Sequence, residues 1–322
     1  EGEGDAGIIN IITKRKQIVG FNASVNGSVG TRVNRQSFNL NIGKGKFGIS
    51  SRAMVRYGWK LPGQGFSYRD NYNNQTTLVQ INEAISQWIG FGGNTEVYYD
   101  INPYNSIISN ISYRGNTQRR ENKYRDSLYT FDFGLDGKNQ ITAFIDSLRD
   151  VGMIMNRRTF SENFKNSYEW TTDYVKKFSD HEDRELSIAF QLGLAIRDDD
   201  TYIVSNDASW VTEYDTVWNR NDASPLTKVI QLDYIHPIED KHTIEIGAKY
   251  IDRDMTSQYS TLDEGVFTQP YEQFDYNQKV TAAYVSTKWE LNKKWGMVAG
   301  LRAEHTLISG QWNEQLNGEW VQ

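Results

Sequence analysis

The sequence predicts an all-β fold, an antiparallel β-barrel that crosses a membrane with its strands, and three observations support this. First, apolar and polar residues alternate along long runs, for example from Phe47 to Trp59. Such a run exceeds the usual strand of about 5–6 residues and reaches the ~9–11 residues that cross a bilayer at a tilt. Second, short turns alternate with long polar loops. Third, the 322 residues include only 5 prolines. Proline cannot donate a hydrogen bond within a sheet, so its scarcity favours long strands.

The opening segment of the chain is a short apolar strand, preceded by glycines and followed by a basic group. It reads Gly4-Asp5-Ala6-Gly7-Ile8-Ile9-Asn10-Ile11-Ile12-Thr13-Lys14-Arg15. The pattern by itself predicts a buried strand bounded by turn and charge signals. The segment also resembles the end of the plug domain of TonB-dependent outer-membrane receptors, where a GG(I/V)INI(I/V)TK-type sequence precedes the first barrel strand. Ala6 stands where that family frequently has glycine.

This resemblance implies a division of the chain near its start. The last plug strand would comprise Gly7, Ile8, Ile9, Asn10, Ile11 and Ile12. Residues 1–18 would be the end of the plug domain with its connector, and residues 19–322 would be the N-terminal part of the barrel. The alternative for residues 8–12 is an ordinary buried edge strand.

The alternation predicts eleven strands. They are centred on residues 21–29, 37–42, 47–59, 89–99, 107–113, 168–178, 186–196, 230–234, 244–250, 274–291 and 295–303. Short turns fall near residues 44, 102, 181, 240 and 292, and long polar loops at 60–81, 118–163, 198–225 and 256–272. This asymmetry is typical of outer-membrane barrels, which have short periplasmic turns and long extracellular loops. Aromatic residues at the strand ends predict an interfacial girdle; they are Tyr57, Trp59, Tyr99, Tyr113, Phe178, Tyr250 and Trp295.

The odd strand count favours a partial barrel, because bacterial single-chain barrels have even strand numbers. The family resemblance implies about 22 strands, so that roughly half would be present here. Residues 318–322 lack the terminal aromatic typical of the family's last strand, and we therefore expect a fragment of a longer protein. A soluble β-sandwich is the alternative, but sandwiches rarely sustain strands of this length or this asymmetry of loops.

Charged residues at alternate strand positions are predicted to face the barrel lumen. They are Arg52, Arg56, Glu96, Arg197, Arg302 and Glu304. Facing lipid is disfavoured, because an arginine at the bilayer midplane costs about 2–4 kcal/mol. These side chains would contact the plug or steer an anionic ligand, or else form a solvated inner wall.

The predicted loop 198–225 carries four aromatic residues that could bind an extracellular ligand: Tyr202, Trp210, Tyr214 and Trp218. The last three share a face of either a helix or a strand, and such a face can stack on sugars or flat chelates, or pack the loop. Residues 198–200 are three aspartates, which suggest a solvated acidic loop more than a calcium site, since the EF-hand spacing is absent. The loop 118–163 predicts a hairpin above the membrane, with a lid helix near residues 141–151 as the alternative.

Enzyme chemistry finds little support in the sequence. There are no cysteines, the 4 histidines are scattered, and we find neither a nucleophile elbow nor a phosphate-binding glycine loop. We therefore expect no catalytic residues, no cofactor and no bound metal. The net charge of −6 argues against a nucleic-acid partner.

The family resemblance implies a receptor in the Gram-negative outer membrane that imports an extracellular ligand through a plugged barrel. Siderophore, oligosaccharide, cobalamin and peptide all remain open as ligands. The implied partners are outer-membrane lipid, the TonB complex (through a segment upstream of Glu1), the small ligand or glycan, and a surface lipoprotein. The alternatives are a structural or adhesive barrel without active transport, and an outer-membrane lipase or protease, for which no catalytic constellation is apparent.

Overall fold

A computed structural model describes residues 20–71, 76–130, 153–238, 242–263, 266–292, 295–316 and 319–321. The predicted plug strand, residues 7–12, lies outside the described residues. So does the central part of the predicted loop 118–163, residues 131–152, where a hairpin and a lid helix were the two expectations.

The described chain forms one antiparallel sheet whose strands follow each other in sequence order. The strands are β1 (Gly20–Ser28), β2 (Val33–Lys44), β3 (Phe47–Asn71), β4 (Thr76–Asn102), β5 (Asn105–Thr130), β6 (Met153–Phe178), β7 (His181–Asn206), β8 (Glu213–Ile238), β9 (His242–Asp263), β10 (Val266–Asn292), β11 (Trp295–Leu316) and β12 (Glu319–Val321). The predicted all-β antiparallel fold is confirmed, with eleven long strands and the three-residue β12. Within these residues β1 and β12 do not pair with each other, so the sheet is not closed. The described residues contain no helix long and apolar enough to cross a membrane.

The strands extend far into the segments predicted as long polar loops, and this prediction is wrong for much of their length. In the predicted loop 198–225, β7 continues to Asn206 and β8 begins at Glu213. The same holds for 60–81 and 256–272. The reason is that the lipid face carries a mixture of apolar, polar and charged residues there, so the period-two signal weakens. The backbone ladder nevertheless continues, because the neighbouring strands on either side supply its hydrogen-bond partners. In 118–163 the described ends are paired strands of β5 and β6, which agrees with the predicted hairpin.

The short turns that the structure describes lie where the sequence predicts them. Between β2 and β3 the chain reverses over two residues, and Gly45 takes φ +61°, a left-handed conformation that glycine adopts without strain. The β4–β5 and β6–β7 connections are equally short. Residues 239–241 and 293–294, where two further turns were predicted, are outside the described residues.

The strand register divides the side chains between two faces of the sheet, because residues paired across strands point the same way. One face collects the predicted apolar positions, and we call it the lipid face. One row of cross-strand partners on this face is Ala23, Leu40, Ser51, Thr95, Ile111, Trp170, Leu192, Lys228 and Asp252. The part of the lipid face nearest the short turns is mostly apolar, and we call it the apolar band; on β7 it extends from Leu186 to Ile196. Its large apolar side chains are exposed, for example Ile111 at 62% and Leu301 at 79%. Strand contacts run between sequence neighbours in a single layer, which excludes the β-sandwich.

The opposite face, which we call the polar face, is held together by aromatic rings that lie over glycines of the next strand. Tyr98 covers Gly48, where a Cβ atom would come within 2.1 Å of the ring. Tyr284 covers Gly247 in the same way and reaches the strand beyond, where its hydroxyl lies 2.6 Å from Oδ1 of Asp233. One side chain thus ties β10 to β8 across β9.

The height of the wall changes abruptly between β2 and β3. The pairing of β2 with β3 ends at Gly58, whereas β3 continues to Asn71 along β4. A register shift between Gly58 and Leu61 marks this point, and the Trp59 amide donates to the Arg32 carbonyl at 3.1 Å.

Candidate functional site

The six charged residues predicted to face the lumen all lie on the polar face. By register, Arg52, Arg56, Glu96, Arg197, Arg302 and Glu304 share that side of the sheet. The structure brings one oppositely charged pair of them together, Arg302 and Glu304, with Nη2 and Oε2 2.9 Å apart. Arg52 instead donates from Nε to Oδ1 of Asn39 at 2.9 Å, and Arg197 pairs with Asp199. The set is therefore a dispersed charged wall, and its role toward a ligand or a plug stays a prediction.

Two of the four aromatic ligand candidates form a row on the lipid face above the apolar band. Tyr202 pairs with Trp218 across β7 and β8, and Phe160 of β6 stands opposite Tyr202, with ring centroids 6.4 Å apart. All three rings are about two-fifths exposed. We call this row the aromatic row. Because it points outward, ligand binding by Tyr202 or Trp218 would occur on the outer surface of the wall and not in its lumen.

A groove of about 480 Å³ lies along the aromatic row. It is lined by Lys60, Ile85, Gln87, Arg119, Arg120, Glu121, Phe160, Ser161, Glu162, Asp200, Tyr202 and Trp218. On its membrane side Arg119 and Glu162 form an ion pair of 2.9 Å between two exposed side chains. Aromatic surface with charged groups at the rim can hold a polar molecule that also presents apolar faces, such as a sugar.

The predicted acidic loop is instead a row of side chains on strands, where one arginine is shared by three carboxylates. Arg220 lies 3.0 Å from Asp222, 3.7 Å from Asp198 and 4.0 Å from Asp200. Burial, followed by the hydrogen bond with Asp222 and repulsion from it, raises the pKa of Asp198 to about 6. Among the described residues no group of three such side chains has the geometry to hold a metal ion.

Trp210 is separated from the other aromatic candidates. It lies in the β7–β8 turn with φ +65°, and its ring faces the Arg158 guanidinium at 5.2 Å. A second cleft, of about 400 Å³, adjoins this pair. The helical alternative for Trp210, Tyr214 and Trp218 is wrong, because β8 begins at Glu213; the side chain of Tyr214 lies outside the described part.

Sequence reasoning missed several residues of these surfaces, above all Phe160, Arg158 and Arg119. They fall in the predicted loop 118–163, where the lipid face carries a mixture of apolar and charged residues and the period-two signal is weak. The aromatic at 160 was the available signal, since Phe160 and Phe164 are spaced for one strand face.

Comparison with known proteins agrees with the fold. Residues 176–319, from the end of β6 through β11, match the model of a family described as the outer membrane protein beta-barrel family. The chain forms the wall of an outer-membrane β-barrel. The predicted location in the outer membrane is thereby confirmed, together with strands that cross it. No curated protein and no solved structure gives a significant match. The family description names a barrel and no cargo, so it does not distinguish an importing receptor from a barrel that imports nothing.

Proposed function

We propose that this wall belongs to an outer-membrane receptor that imports an extracellular ligand through a wide, plugged barrel energised by the TonB complex. One observation carries the proposal: twelve strands pair in a row and the two outer edges do not meet. Open edges are not tolerated in hydrocarbon, and we infer that both edges of this sheet are paired in the membrane, within a barrel wider than eight strands. Eight strands enclose a lumen that side chains fill, whereas much larger barrels leave a channel or hold a plug.

The polar face supports a water-filled or plug-filled interior. At the level of the apolar band it carries Arg52, Glu96 and Lys249, together with many amides and hydroxyls. A lumen packed by side chains has no room for such a wall, because each buried charge would need its own partner. The plug-like sequence of residues 4–15 supports the same conclusion, since a plug strand implies a ligand path that must be opened.

The polar face fits several classes of ligand. An extracellular small molecule or glycan would descend along the polar face, so that siderophore, oligosaccharide, cobalamin and peptide all fit. The strands that continue above the membrane would also offer a surface for a lipoprotein partner. A structural or adhesive barrel without active transport is the competing function, and the energy dependence of uptake separates the two.

Energised uptake is the test. Cells that carry the whole protein are given labelled candidate ligands, with and without a functional TonB complex and with the proton gradient collapsed. Import that stops in both deficient conditions, while ligand still binds at the surface, supports the proposal. The double variant Arg52→Gln, Arg56→Gln should slow uptake. The control Lys279→Gln, which removes a charge from the lipid face outside the groove and the second cleft, should not. Ligand accumulation that is equal with and without the TonB complex would contradict energised import and favour a barrel without active transport.

A further inference from the structure

A cationic cleft lies on the lipid face, well above the apolar band, where β4, β5 and β6 approach the β7–β8 turn. Its volume is about 400 Å³. The lining residues are Ile81, Glu83, Lys123, Tyr124, Arg125, Arg158 and Trp210. Three cations and one carboxylate therefore surround a space bounded by apolar side chains.

Cations outnumber carboxylates in the cleft, and Lys123 on β5 lies between Glu83 on β4 and Arg158 on β6. Lys123 on β5 stands directly opposite Arg158 on β6, and Arg125 is the next side chain on the same face of β5. Among the described residues, none of the three makes an ion pair. Like charges directly opposite each other destabilise a strand pair, and an anion bound between them would remove that repulsion.

Arg158 also carries a hydrogen-bond donor without an acceptor. Its Nε atom is buried and has no partner among the described atoms. The guanidinium lies against the Trp210 ring, which leaves its N–H groups in the plane available to an acceptor. A buried donor of this kind is stabilised by any oxygen anion that reaches it.

Trp210 is held over the cleft by a turn that other residues organise. Asp207 accepts hydrogen bonds from the amides of Val211 and Thr212 at 2.9 and 3.3 Å, and its carbonyl accepts from Nδ2 of Asn156 at 2.7 Å. Asn156 is fully buried on β6, so the turn is anchored next to Arg158. The side chain and the carbonyl of Asp207 thus fix the turn in which Trp210 adopts its positive φ.

We propose that the cationic cleft binds an anionic saccharide, with Lys123, Arg125 and Arg158 around its phosphate or carboxylate and Trp210 against its sugar ring. Arg158 is ten positions from Tyr168 in the apolar band, about 33 Å along the strand and roughly 25 Å in height at the usual tilt. That height lies above the lipid phosphates, at the level of sugars carried by outer-leaflet lipids. The outer-leaflet glycan is therefore the occupant favoured by position, and a soluble anionic saccharide shares its chemistry. The inference does not depend on import.

The test measures binding to the whole protein in detergent micelles by calorimetry. The probes are lipopolysaccharide with a phosphorylated core, the same lipid after dephosphorylation, a soluble sugar phosphate, and inorganic phosphate alone. The double variant Lys123→Gln, Arg158→Gln should bind the phosphorylated lipid at least tenfold more weakly. The matched control is Arg114→Gln, Lys165→Gln, which removes one arginine and one lysine from the polar face of the same two strands.

If Lys123→Gln, Arg158→Gln weakens binding of the phosphorylated lipopolysaccharide only, and the control variant does not, the result supports the outer-leaflet glycan as the occupant. If the same variant also weakens binding of the soluble sugar phosphate, the result supports a saccharide site in the cleft that is filled from solution. Equal loss in both double variants, or no loss in either, overturns the proposal, and inorganic phosphate binding as tightly as the saccharides overturns the saccharide assignment. Trp210→Ala, whose folding is checked by heat-dependent gel mobility, should weaken saccharide binding and leave phosphate binding unchanged.

Discussion

The lower and upper halves of the same strand follow different rules, and β7 shows this plainly. From Leu186 to Ile196 its side chains alternate between apolar on the lipid face and polar or small on the other. From Asp198 to Asn206 the lipid face is mixed and the alternation ends, yet the strand pairs with β6 throughout. In lipid the ladder is obligatory and one face must be apolar. Above the membrane the backbone hydrogen bonds require only the adjacent strands, and no face has to be apolar. The side chains of the upper half are therefore available for binding.

The sharpest test of this comparison places a charge on either side of the lower half. Leu192→Arg puts arginine on the lipid face near the centre of the apolar band and should destabilise the folded protein by about 2–4 kcal/mol. Gln191→Arg, one residue away on the polar face, should cost much less, because Gln191 already contacts Glu169 at 3.1 Å. Equilibrium unfolding by urea in lipid vesicles measures both. Similar losses in the two variants would contradict the assignment of the faces.

A second test compares a glycine under an aromatic ring with one in the open. Gly247→Ala would bring a Cβ atom within 2.1 Å of the Tyr284 ring and 2.5 Å of the Asp233 carboxylate. We expect a loss of about 1–3 kcal/mol from overpacking. Gly63→Ala, in the upper half of β3, meets nothing within 4 Å and should be neutral or slightly stabilising. Unfolding midpoints of the two variants decide this, and a harmless Gly247→Ala would show that Tyr284 is not held in place.

Asp198 provides a pH test of the upper half. Its folded pKa, about 6, lies above the unfolded value near 4, so the folded state binds the extra proton. The contribution of Asp198 to stability is therefore fully present below about pH 4 and is lost as the pH rises through 6. Because the side chain is 36% exposed, we discount the effect for solvent screening to about 1 kcal/mol.

Asp198→Asn should accordingly flatten the stability profile between pH 5 and 8. The control is Asp207→Asn. Hydrogen bonds, that from Ser209 first, lower the pKa of Asp207, so its contribution is present above the unfolded value and is lost only at more acidic pH. This variant should keep the wild-type slope between pH 5 and 8. A slope that persists in Asp198→Asn would assign the titration to another group.

The smallest effect concerns the ion pair at the rim of the groove. Arg119 and Glu162 are 71% and 48% exposed, so their attraction is screened. Arg119→Gln should change the free energy of unfolding by less than about 1 kcal/mol, and less still in high salt. A large, salt-sensitive loss would mean that the upper wall depends on its ion pairs more than on its backbone ladder.

The sequence predicts the lower half well, because there the lipid imposes a pattern that a reader can recognise. Phe47 to Trp59 and Leu186 to Ile196 show it most clearly. The upper half has no such constraint, and strands such as Asp198–Asn206 were therefore predicted as loops. The pairing of Tyr202 with Trp218, and of Lys123 with Arg158, depends on register across strands that are distant in the chain. No local sequence pattern specifies this register. The alternation of side chains along a single strand, by contrast, was enough to place all six charged residues on the polar face.

The step between β2 and β3 means that the mouth of the barrel is not level. Within the described residues, β3 beyond Trp59 pairs with β4 alone, and Pro62, which has no amide hydrogen, lies on this margin. Proline and neighbouring glycines discourage a foreign strand from adding there. The extracellular rim of the wall is therefore lower at β1 and β2 than at β3 and β4. At this side a molecule diffusing along the cell surface has lateral access to the polar face.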